Sequence, residues 1–200
     1  MLESCSFEIS DFFSAVRYTM ASMKRAAGSS VLISEAEIQK RVAEMGARIS
    51  EDYKGGSITV VGILKGSFIF IADLIRSIDP SVLMQVEFMT ASSYGDGTVS
   101  SGQLRIEQDI SVNVAGTDVL LVEDIVDSGL TLGAVSDLLK SREPRSLRIA
   151  ALIEKDSRRR QPLQLDYVGF RIPDVFVVGY GLDLAQHYRN LREIRILDAG

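Results

Sequence analysis

Cysteine is almost absent from this sequence, since Cys5 is the only one among 200 residues. A single cysteine rules out an internal disulfide and is compatible with a reducing compartment. The one histidine, His187, belongs to no required catalytic motif, and no motif pairs it with Cys5. We therefore expect His187 to be a surface residue and do not expect chemistry based on a thiol.

Long apolar runs are also missing. No stretch approaches the ~20 apolar residues that a membrane span needs. The first 30 residues contain Glu3, Glu8 and Asp11 and have no apolar signal-peptide region. We expect a cytoplasmic protein with no membrane partner.

The third absence is an excess of positive charge. Lys and Arg number 22 against 27 Asp and Glu, which gives a formal net charge of −5. A nucleic-acid-binding protein usually carries a basic face, so we expect no nucleic-acid partner. An anionic substrate would have to be held by local groups rather than by the field of the whole protein. The length and the 46% hydrophobic content suit one ordinary globular domain.

What the sequence does contain is an alternation of strand and helix patterns. Ser34 and Glu37 form a capping box before an amphipathic helix of about four turns, whose apolar face runs from Ile38 to Ile49. The later pattern predicts strands at 58–64, 82–89, 118–122, 147–153, 176–178 and 194–197, and helices at 68–76 and 132–140, with a short helical turn between the last two strands. This alternation predicts an α/β fold with a parallel sheet covered by helices on both faces.

Acidic residues follow one of these apolar runs in the segment 119–131, VLLVEDIVDSGLT. Glu123 and Asp124 end the run, and Asp127 follows in a short loop before a helix. Ligands of open α/β sheets bind past the carboxyl ends of the strands, and the N–H groups of such a loop and helix N-terminus form an anion site. A ribose 5-phosphate matches this layout, because it carries a phosphate at one end and hydroxyls in the middle.

A simple helix cap and two common nucleotide-binding motifs account for this segment less well. Asp127 and Ser128 could cap the helix, but a cap does not explain Glu123 and Asp124 behind an apolar strand. No G-x-x-x-x-G-K-[ST] motif occurs in the chain. The Gly179-Tyr180-Gly181 tripeptide lacks the third glycine of a dinucleotide fingerprint.

The segment from Glu123 to Thr131 resembles the phosphoribosyl-diphosphate motif of the type I phosphoribosyltransferase family. With aspartate at position 127, the segment resembles in particular the motif of members that act on hypoxanthine and guanine. The resemblance extends from about residue 31 to residue 197. It implies one domain over residues 31–200, a parallel-sheet core with a small hood subdomain contributed mainly by residues 155–200. Residues 1–30 match nothing in the family and are treated as an extension of unknown role.

The resemblance also implies how the donor, 5-phosphoribosyl 1-diphosphate, would be bound. The acidic pair would orient the ribose hydroxyls, the loop 127–131 would anchor the 5-phosphate, and a loop after the first core strand, entered by a cis peptide in the family, would hold pyrophosphate. A mobile lid over the polar segment 90–103 would keep water away from the reacting sugar. The implied donor-binding residues are Lys65, Gly66, Ser93, Tyr94, Glu123, Asp124, Asp127, Ser128, Gly129, Leu130, Thr131 and Arg189.

The base-binding residues come from the same resemblance. Phe176 would stack on the purine, Lys155 would donate to its 6-oxo group, and the backbone of Val177 would contact the ring edge. An aromatic side chain with one cationic donor suits a flat, oxygen-bearing heterocycle. Asp183 would lie beside the base and, with Glu123 and Asp124, is an expected ligand of Mg²⁺. Asp156 occupies a position at which base preference could change.

The expected activity is transfer of the phosphoribosyl group to N9 of hypoxanthine or guanine in purine salvage, with Mg²⁺ assisting the loss of pyrophosphate and Asp127 as general base. Members of the family are dimers or tetramers, so the resemblance implies a homodimer or a homotetramer. A non-enzymatic regulator that binds the same donor or a nucleotide on the same fold is the alternative, although it would not need the base-binding residues that are present here, namely Lys155, Phe176, Asp183 and Arg189. A second alternative is a transferase that acts on a pyrimidine or on adenine, and Lys155 argues against adenine, whose 6-amino group is a donor. The preference among hypoxanthine, guanine and xanthine stays open.

Overall fold

A six-stranded sheet forms the centre of the protein. The computed structural model describes residues 30–93, 104–155 and 163–197, without the side chains of residues 92, 93 and 104. The strands follow the order β4-β3-β2-β5-β6-β7, in which β4 pairs antiparallel with β3 and the other neighbours are parallel. Their bounds are β2 Ser57–Leu64, β3 Leu83–Ser93, β4 Leu104–Gln108, β5 Asp118–Val126, β6 Ser146–Glu154 and β7 Tyr167–Arg171.

Helices cover both faces of this sheet, as the alternation predicted. They are α1 Glu35–Asp52, α2 Phe68–Ser77 and α3 Leu130–Lys140. Helices α1 and α2 pack in one core with residues such as Val60 and Leu120, whereas α3 packs in a second core with residues such as Leu121. None of these helices, within the residues described, is long and apolar enough to cross a membrane.

The predicted capping box of α1 is confirmed. Ser34 Oγ accepts a hydrogen bond from the Glu37 N–H at 3.3 Å, and Glu37 Oε2 accepts one from the Ser34 N–H at 2.8 Å. The two residues thereby satisfy donors that lack a partner inside the helix. The helix is longer than the four turns predicted and ends at Asp52.

A small antiparallel sheet stands beside the main one. It consists of β1 Ser30–Ile33, β9 Ile194–Ile196 and β8 Val177–Val178, in that spatial order. The predicted helical turn between β8 and β9 is wrong. The chain instead forms tight turns, in which Tyr180, Ala185, Gln186 and Tyr188 have positive φ, a conformation that a right-handed helix cannot contain.

Several strand bounds differ from those predicted. β3 continues to Ser93, into the segment expected to be a polar loop, and β4 pairs with it there. β5 extends to Val126, so the acidic pair lies within the strand rather than after it. The parallel partner β6 explains the extension, because pairing continues to the last residues of both strands, Val126 with Glu154. β1, β4 and β7 were not predicted.

Candidate active site

The acidic pair lies near the carboxyl end of β5. Glu123 and Asp124 are both buried, with 9% and 8% of their surface exposed. Glu123 Oε1 accepts from the Asp124 N–H at 3.2 Å, and Asp124 Oδ1 accepts from the Ile125 N–H at 2.9 Å. Burial, followed by the neighbouring charge of Asp124, raises the pKa of Glu123 well above its ordinary value. Two carboxylates held this closely favour a ligand that brings hydroxyls or a cation.

A cavity of about 400 Å³ opens beside this pair. Its size is that of a small-molecule site. Six of its lining residues were predicted from the sequence, whereas Ile125, Asp174 and Leu182 were not. The lining residues are Asp124, Ile125, Asp127, Lys155, Asp174, Phe176, Val177, Leu182 and Asp183.

Lys155 follows the end of β6 and lies in the wall of the cavity. Only 7% of its side chain is exposed, and its Nζ lies 3.8 Å from Asp174 Oδ1. In the lining of the same cavity, Phe176 keeps 48% of its surface exposed, although Val177, the next residue, is buried in the small sheet. An exposed ring and a buried cation that line one cavity are the arrangement expected for a planar heterocycle with an oxygen at its edge.

The loop from Asp127 to Thr131 connects β5 to α3. Helix α3 begins at Leu130, slightly earlier than the predicted start at Leu132, and its N-cap is Gly129 at φ +76°, in the left-handed region that favours glycine. Ser128 Oγ accepts from the Leu130 N–H at 3.4 Å. The first turn of a helix presents N–H groups that lack helical partners, so this end of α3 suits a phosphate.

A second loop, between β2 and α2, approaches the acidic pair. The peptide bond between Leu64 and Lys65 is cis, as the family resemblance implied. A Cβ added to Gly66 would lie 1.7 Å from Asp124 Oδ2, and one added to Gly181 would lie 2.1 Å from the carbonyl oxygen of Gly66. This loop is therefore packed between the acidic pair and the turn that follows β8, with no room for a side chain at either glycine.

Asp183 and Arg189 are joined in that turn region. Arg189 Nη2 lies 2.7 Å from Asp183 Oδ1, and Arg189 Nη1 donates to the carbonyl oxygen of Gly181 at 2.6 Å. Asp183 Oδ2 accepts from the Gln186 N–H at 2.7 Å. His187 is exposed beside Tyr188, with the ring centroids 6.4 Å apart, so its predicted surface position is confirmed.

The three predicted Mg²⁺ ligands do not form a ready-made metal cluster. Among the residues described, no group of three or more His, Cys, Asp or Glu side chains is placed to hold a metal ion. Asp124 and Asp183 line the cavity, whereas Glu123 does not belong to its lining. Mg²⁺ is commonly bound through one or two carboxylates together with substrate phosphates. Asp124 and Asp183 fit an ion bound in that way.

Some predicted positions lie outside the described residues. Tyr94 and Asp156 are among them, and the side chain of Ser93 is not described either. The lid over 90–103 and the effect of Asp156 on base preference therefore stay predictions.

Most of the chain matches one known protein family. The model of the phosphoribosyl transferase domain matches residues 32–185. The chain belongs to the phosphoribosyltransferase family. This confirms the resemblance carried by the segment 123–131.

Individual relatives are similar over most of their length. This phosphoribosyltransferase chain is 48% identical over 167 residues to the hypoxanthine-guanine phosphoribosyltransferase of Bacillus subtilis, covering 84% of this chain and 92% of the relative. It is 50% identical over 163 residues to the hypoxanthine phosphoribosyltransferase of Escherichia coli K12, covering 80% and 90%.

Solved structures of phosphoribosyltransferases also superpose well. A Staphylococcus aureus hypoxanthine phosphoribosyltransferase matches with a TM-score of 0.81 and 44% identity, over 84% of this chain and 91% of that one. A Bacillus anthracis hypoxanthine-guanine phosphoribosyltransferase, with a HEPES molecule in its active site, matches with a TM-score of 0.80 and 44% identity, over 84% and 98%. The α/β core and the small sheet are thus those of the family.

Proposed function

We propose that this chain is a hypoxanthine-guanine phosphoribosyltransferase of purine salvage. It transfers the phosphoribosyl group of 5-phosphoribosyl 1-diphosphate to N9 of hypoxanthine or guanine, giving IMP or GMP and pyrophosphate. The observation that carries the proposal is the cavity in which Asp124 and Asp127, from the donor-binding segment, face Lys155 and Phe176, from the base-binding side.

The base-binding side explains the choice of a 6-oxopurine. The ammonium of Lys155 is a donor, so it pairs with a 6-oxo group and opposes the 6-amino group of adenine. Phe176 offers an exposed ring face for stacking. Val177 lines the same cavity, and its backbone is our candidate for the contact with the edge of the stacked base. Together these groups fix the ring so that N9 points toward the sugar.

The donor-binding side positions the anomeric carbon. The N–H groups of residues 128–131 bind the 5-phosphate at the start of α3, while Glu123 and Asp124 hold the ribose hydroxyls. Lys65 and Gly66 on one side, and Arg189 on the other, bind the pyrophosphate. Anchoring both ends of the donor leaves the sugar carbon between them little freedom.

The chemistry requires a leaving group and a proton acceptor. When bound by Asp124 and Asp183, Mg²⁺ would supply positive charge that stabilises departing pyrophosphate. Asp127 lines the cavity and is our candidate for the base that accepts the purine proton as the bond to N9 forms. Arg189 adds positive charge next to Asp183.

A turnover assay with several bases tests the proposal. The purified chain is incubated with the donor and Mg²⁺ and, in parallel, with hypoxanthine, guanine, xanthine, adenine or uracil, and nucleotide and pyrophosphate are quantified. We expect turnover with hypoxanthine or guanine, none with uracil or adenine, and loss of turnover when Mg²⁺ is chelated. Turnover with adenine or uracil and none with a 6-oxopurine would refute the assignment.

Assembly and compartment are part of the same proposal. We propose a homodimer or homotetramer, on the basis of the family resemblance, and a cytoplasmic location, because the single cysteine suits a reducing compartment. Light scattering of the purified chain at working concentration measures the first. A monomeric mass that persists with full activity would contradict it.

A further inference from the structure

A buried tyrosine links the small sheet to α2. Tyr180 Oη donates a hydrogen bond to Asp73 Oδ2 at 2.7 Å, and only 6% of Tyr180 is exposed. Burial, together with the Asp73 carboxylate, raises the pKa of the Tyr180 phenol far above its ordinary value. The phenol therefore stays a donor throughout the physiological range. Tyr180 holds this position although its φ is +51°, an unfavourable backbone conformation for a residue other than glycine.

The residue after this tyrosine touches the donor-binding loop. Gly181 packs so closely on the Gly66 carbonyl that an added Cβ would lie 2.1 Å from its oxygen. The carbonyl oxygen of Gly181 also accepts from Arg189 Nη1, and the Gly181 N–H donates to the Arg189 carbonyl at 3.0 Å. One turn thus contacts both the Lys65-Gly66 loop and Arg189.

Helix α2 completes a closed arrangement. It begins at Phe68, directly after the same loop, and carries Asp73 one and a half turns later. The contacts therefore form a closed path. It runs from the Lys65-Gly66 loop along α2 to Asp73, across the hydrogen bond to Tyr180, and back from Gly181 to Gly66. If the Tyr180–Asp73 hydrogen bond were broken, Gly181 would be held against the Lys65-Gly66 loop only by packing and by the hydrogen bonds within its own turn.

We propose that Tyr180 and Asp73 are positioning residues for pyrophosphate. Their hydrogen bond fixes the distance between the Lys65-Gly66 loop and Arg189, so that groups from both sides meet the pyrophosphate of the donor at once. Neither residue lines the cavity of about 400 Å³ beside Asp124, although both line a smaller one of about 170 Å³ elsewhere among the described residues. This inference rests on the proposed function, in which those two groups bind pyrophosphate.

The chain provides a matched control at the opposite end of the sheet. Tyr167 Oη donates to Asp52 Oδ2 at 2.6 Å and accepts from Arg148 Nη1 at 2.8 Å, and Tyr167 is 1% exposed. Tyr167 is the first residue of β7, whereas the site lies at the carboxyl ends of the parallel strands. Tyr167→Phe removes a buried hydroxyl from a tyrosine–aspartate pair without approaching the donor.

The experiment compares Tyr180→Phe, Asp73→Ala, Asp73→Asn and Tyr167→Phe. Calorimetry measures the Kd of pyrophosphate with Mg²⁺, kinetics give KM for the donor and for hypoxanthine, and thermal melts give Tm. Losing one hydrogen bond corresponds to about threefold to tenfold in an equilibrium constant, so we expect Tyr180→Phe and Asp73→Ala to weaken pyrophosphate binding by that factor. KM for hypoxanthine should change by less than about twofold, because the base-binding residues lie elsewhere.

Two further results distinguish positioning from general stabilisation. Asp73→Asn should retain wild-type pyrophosphate affinity, because the amide oxygen still accepts from Tyr180, and the Tyr180→Phe/Asp73→Ala double variant should be no weaker than either single variant. Tyr167→Phe should lower Tm and leave the Kd of pyrophosphate unchanged.

The outcomes that overturn the inference are specific. If Tyr180→Phe lowers Tm but leaves the Kd of pyrophosphate at the wild-type value, as Tyr167→Phe should, the pair is merely structural and the inference is wrong. If Tyr180→Phe does not fold, equal affinity of Asp73→Ala and Asp73→Asn refutes it. A wild type that binds pyrophosphate but turns over no 6-oxopurine refutes the proposed function alone, and a wild type that does not bind pyrophosphate refutes both.

Discussion

Lys155 Nζ lies 3.8 Å from Asp174 Oδ1, with 7% of the lysine side chain and 34% of the aspartate side chain exposed. The separation is too long for a direct hydrogen bond, so the carboxylate acts on the ammonium through its charge. A buried cation of this kind needs a nearby anion. Asp174 therefore stabilises the group that we propose as the donor to the 6-oxo oxygen.

Asp174→Asn should weaken base binding and spare the donor. Removing the charge costs about 1 kcal/mol for a partly exposed pair, so we expect KM for hypoxanthine to rise about fivefold while KM for the donor stays unchanged. Steady-state kinetics with each substrate varied in turn measure this. Asp137→Asn is the matched control, because Asp137 lies at the same 3.8 Å from Lys140 on an exposed helix surface. An unchanged KM for hypoxanthine would contradict the role of Asp174.

Asp127→Asn tests the proposed base. A general base contributes about 10²–10⁴ in rate, and asparagine keeps the shape while losing the proton acceptor. We expect kcat to fall by that factor at saturating substrates, with little change in donor affinity measured separately. If kcat changes less than about threefold, Asp127 is not the base. A large loss of donor affinity would instead assign the carboxylate to organising the loop that precedes α3.

Glu123→Gln should change how stability depends on pH. Because burial and the charge of Asp124 raise the pKa of Glu123 in the folded protein, the folded state binds this proton more tightly than the unfolded state. The contribution of Glu123 to the free energy of unfolding is most favourable at a pH below the pKa of about 4.3 that a glutamate has in the unfolded chain. This contribution is lost as the pH rises through the raised pKa of Glu123 in the folded protein. Stability of Glu123→Gln relative to the wild type should therefore increase with pH across that window.

Urea denaturation at a series of pH values, without Mg²⁺, measures this difference. Glu37→Gln is a control of opposite sign, because hydrogen bonds from Ser34 lower the pKa of Glu37. The wild type should be more stable than Glu37→Gln above about pH 4.3, and this difference in stability should be lost as the pH falls through the lowered pKa of Glu37. A difference between Glu123→Gln and the wild type that does not vary with pH would contradict the raised pKa.

Gly66→Ala should impair donor binding more than folding. The added methyl group would lie 1.7 Å from Asp124 Oδ2, so either the carboxylate or the loop must move. We expect at least about tenfold weaker binding of the donor, corresponding to ~1.4 kcal/mol. Gly116→Ala is the control: Gly116 has φ +70° and no atom within 4 Å of its Cβ position, so the change should cost ~1 kcal/mol of stability and leave donor affinity intact. Equal donor affinity in both variants would show that the loop tolerates the methyl group.

The donor-binding segment was predictable because its residues are contiguous. An apolar strand, the acidic pair and the loop to α3 follow one another between Val119 and Thr131, so the chemistry could be inferred before any fold was known. The predicted end of β5 was less accurate, because acidic residues are rarely buried in a strand. The pairing of β5 with β6 extends the strand through Glu123 and Asp124.

Edge strands and long-range contacts could not be inferred in the same way. β7 is short and contains Gly169, which the sequence presents as a strand breaker. In the fold this glycine is required, because a Cβ there would lie 2.4 Å from the Leu152 carbonyl oxygen. The Asp174–Lys155 and Asp73–Tyr180 pairs join residues that no local motif connects, and only the three-dimensional arrangement brings each pair together.

The pairing of β1 with β9 determines when the base-binding side can form. Val31 pairs with Arg195 and Ile33 with Ile194, and β8 is attached only to β9 in this sheet. The residues of β8 pair only with β9 in this sheet, so the small sheet cannot be completed before residues 194–196 have been synthesised. Until then the segment that carries Phe176 and Val177 lacks its supporting strand, although every strand of the main sheet precedes it in the chain.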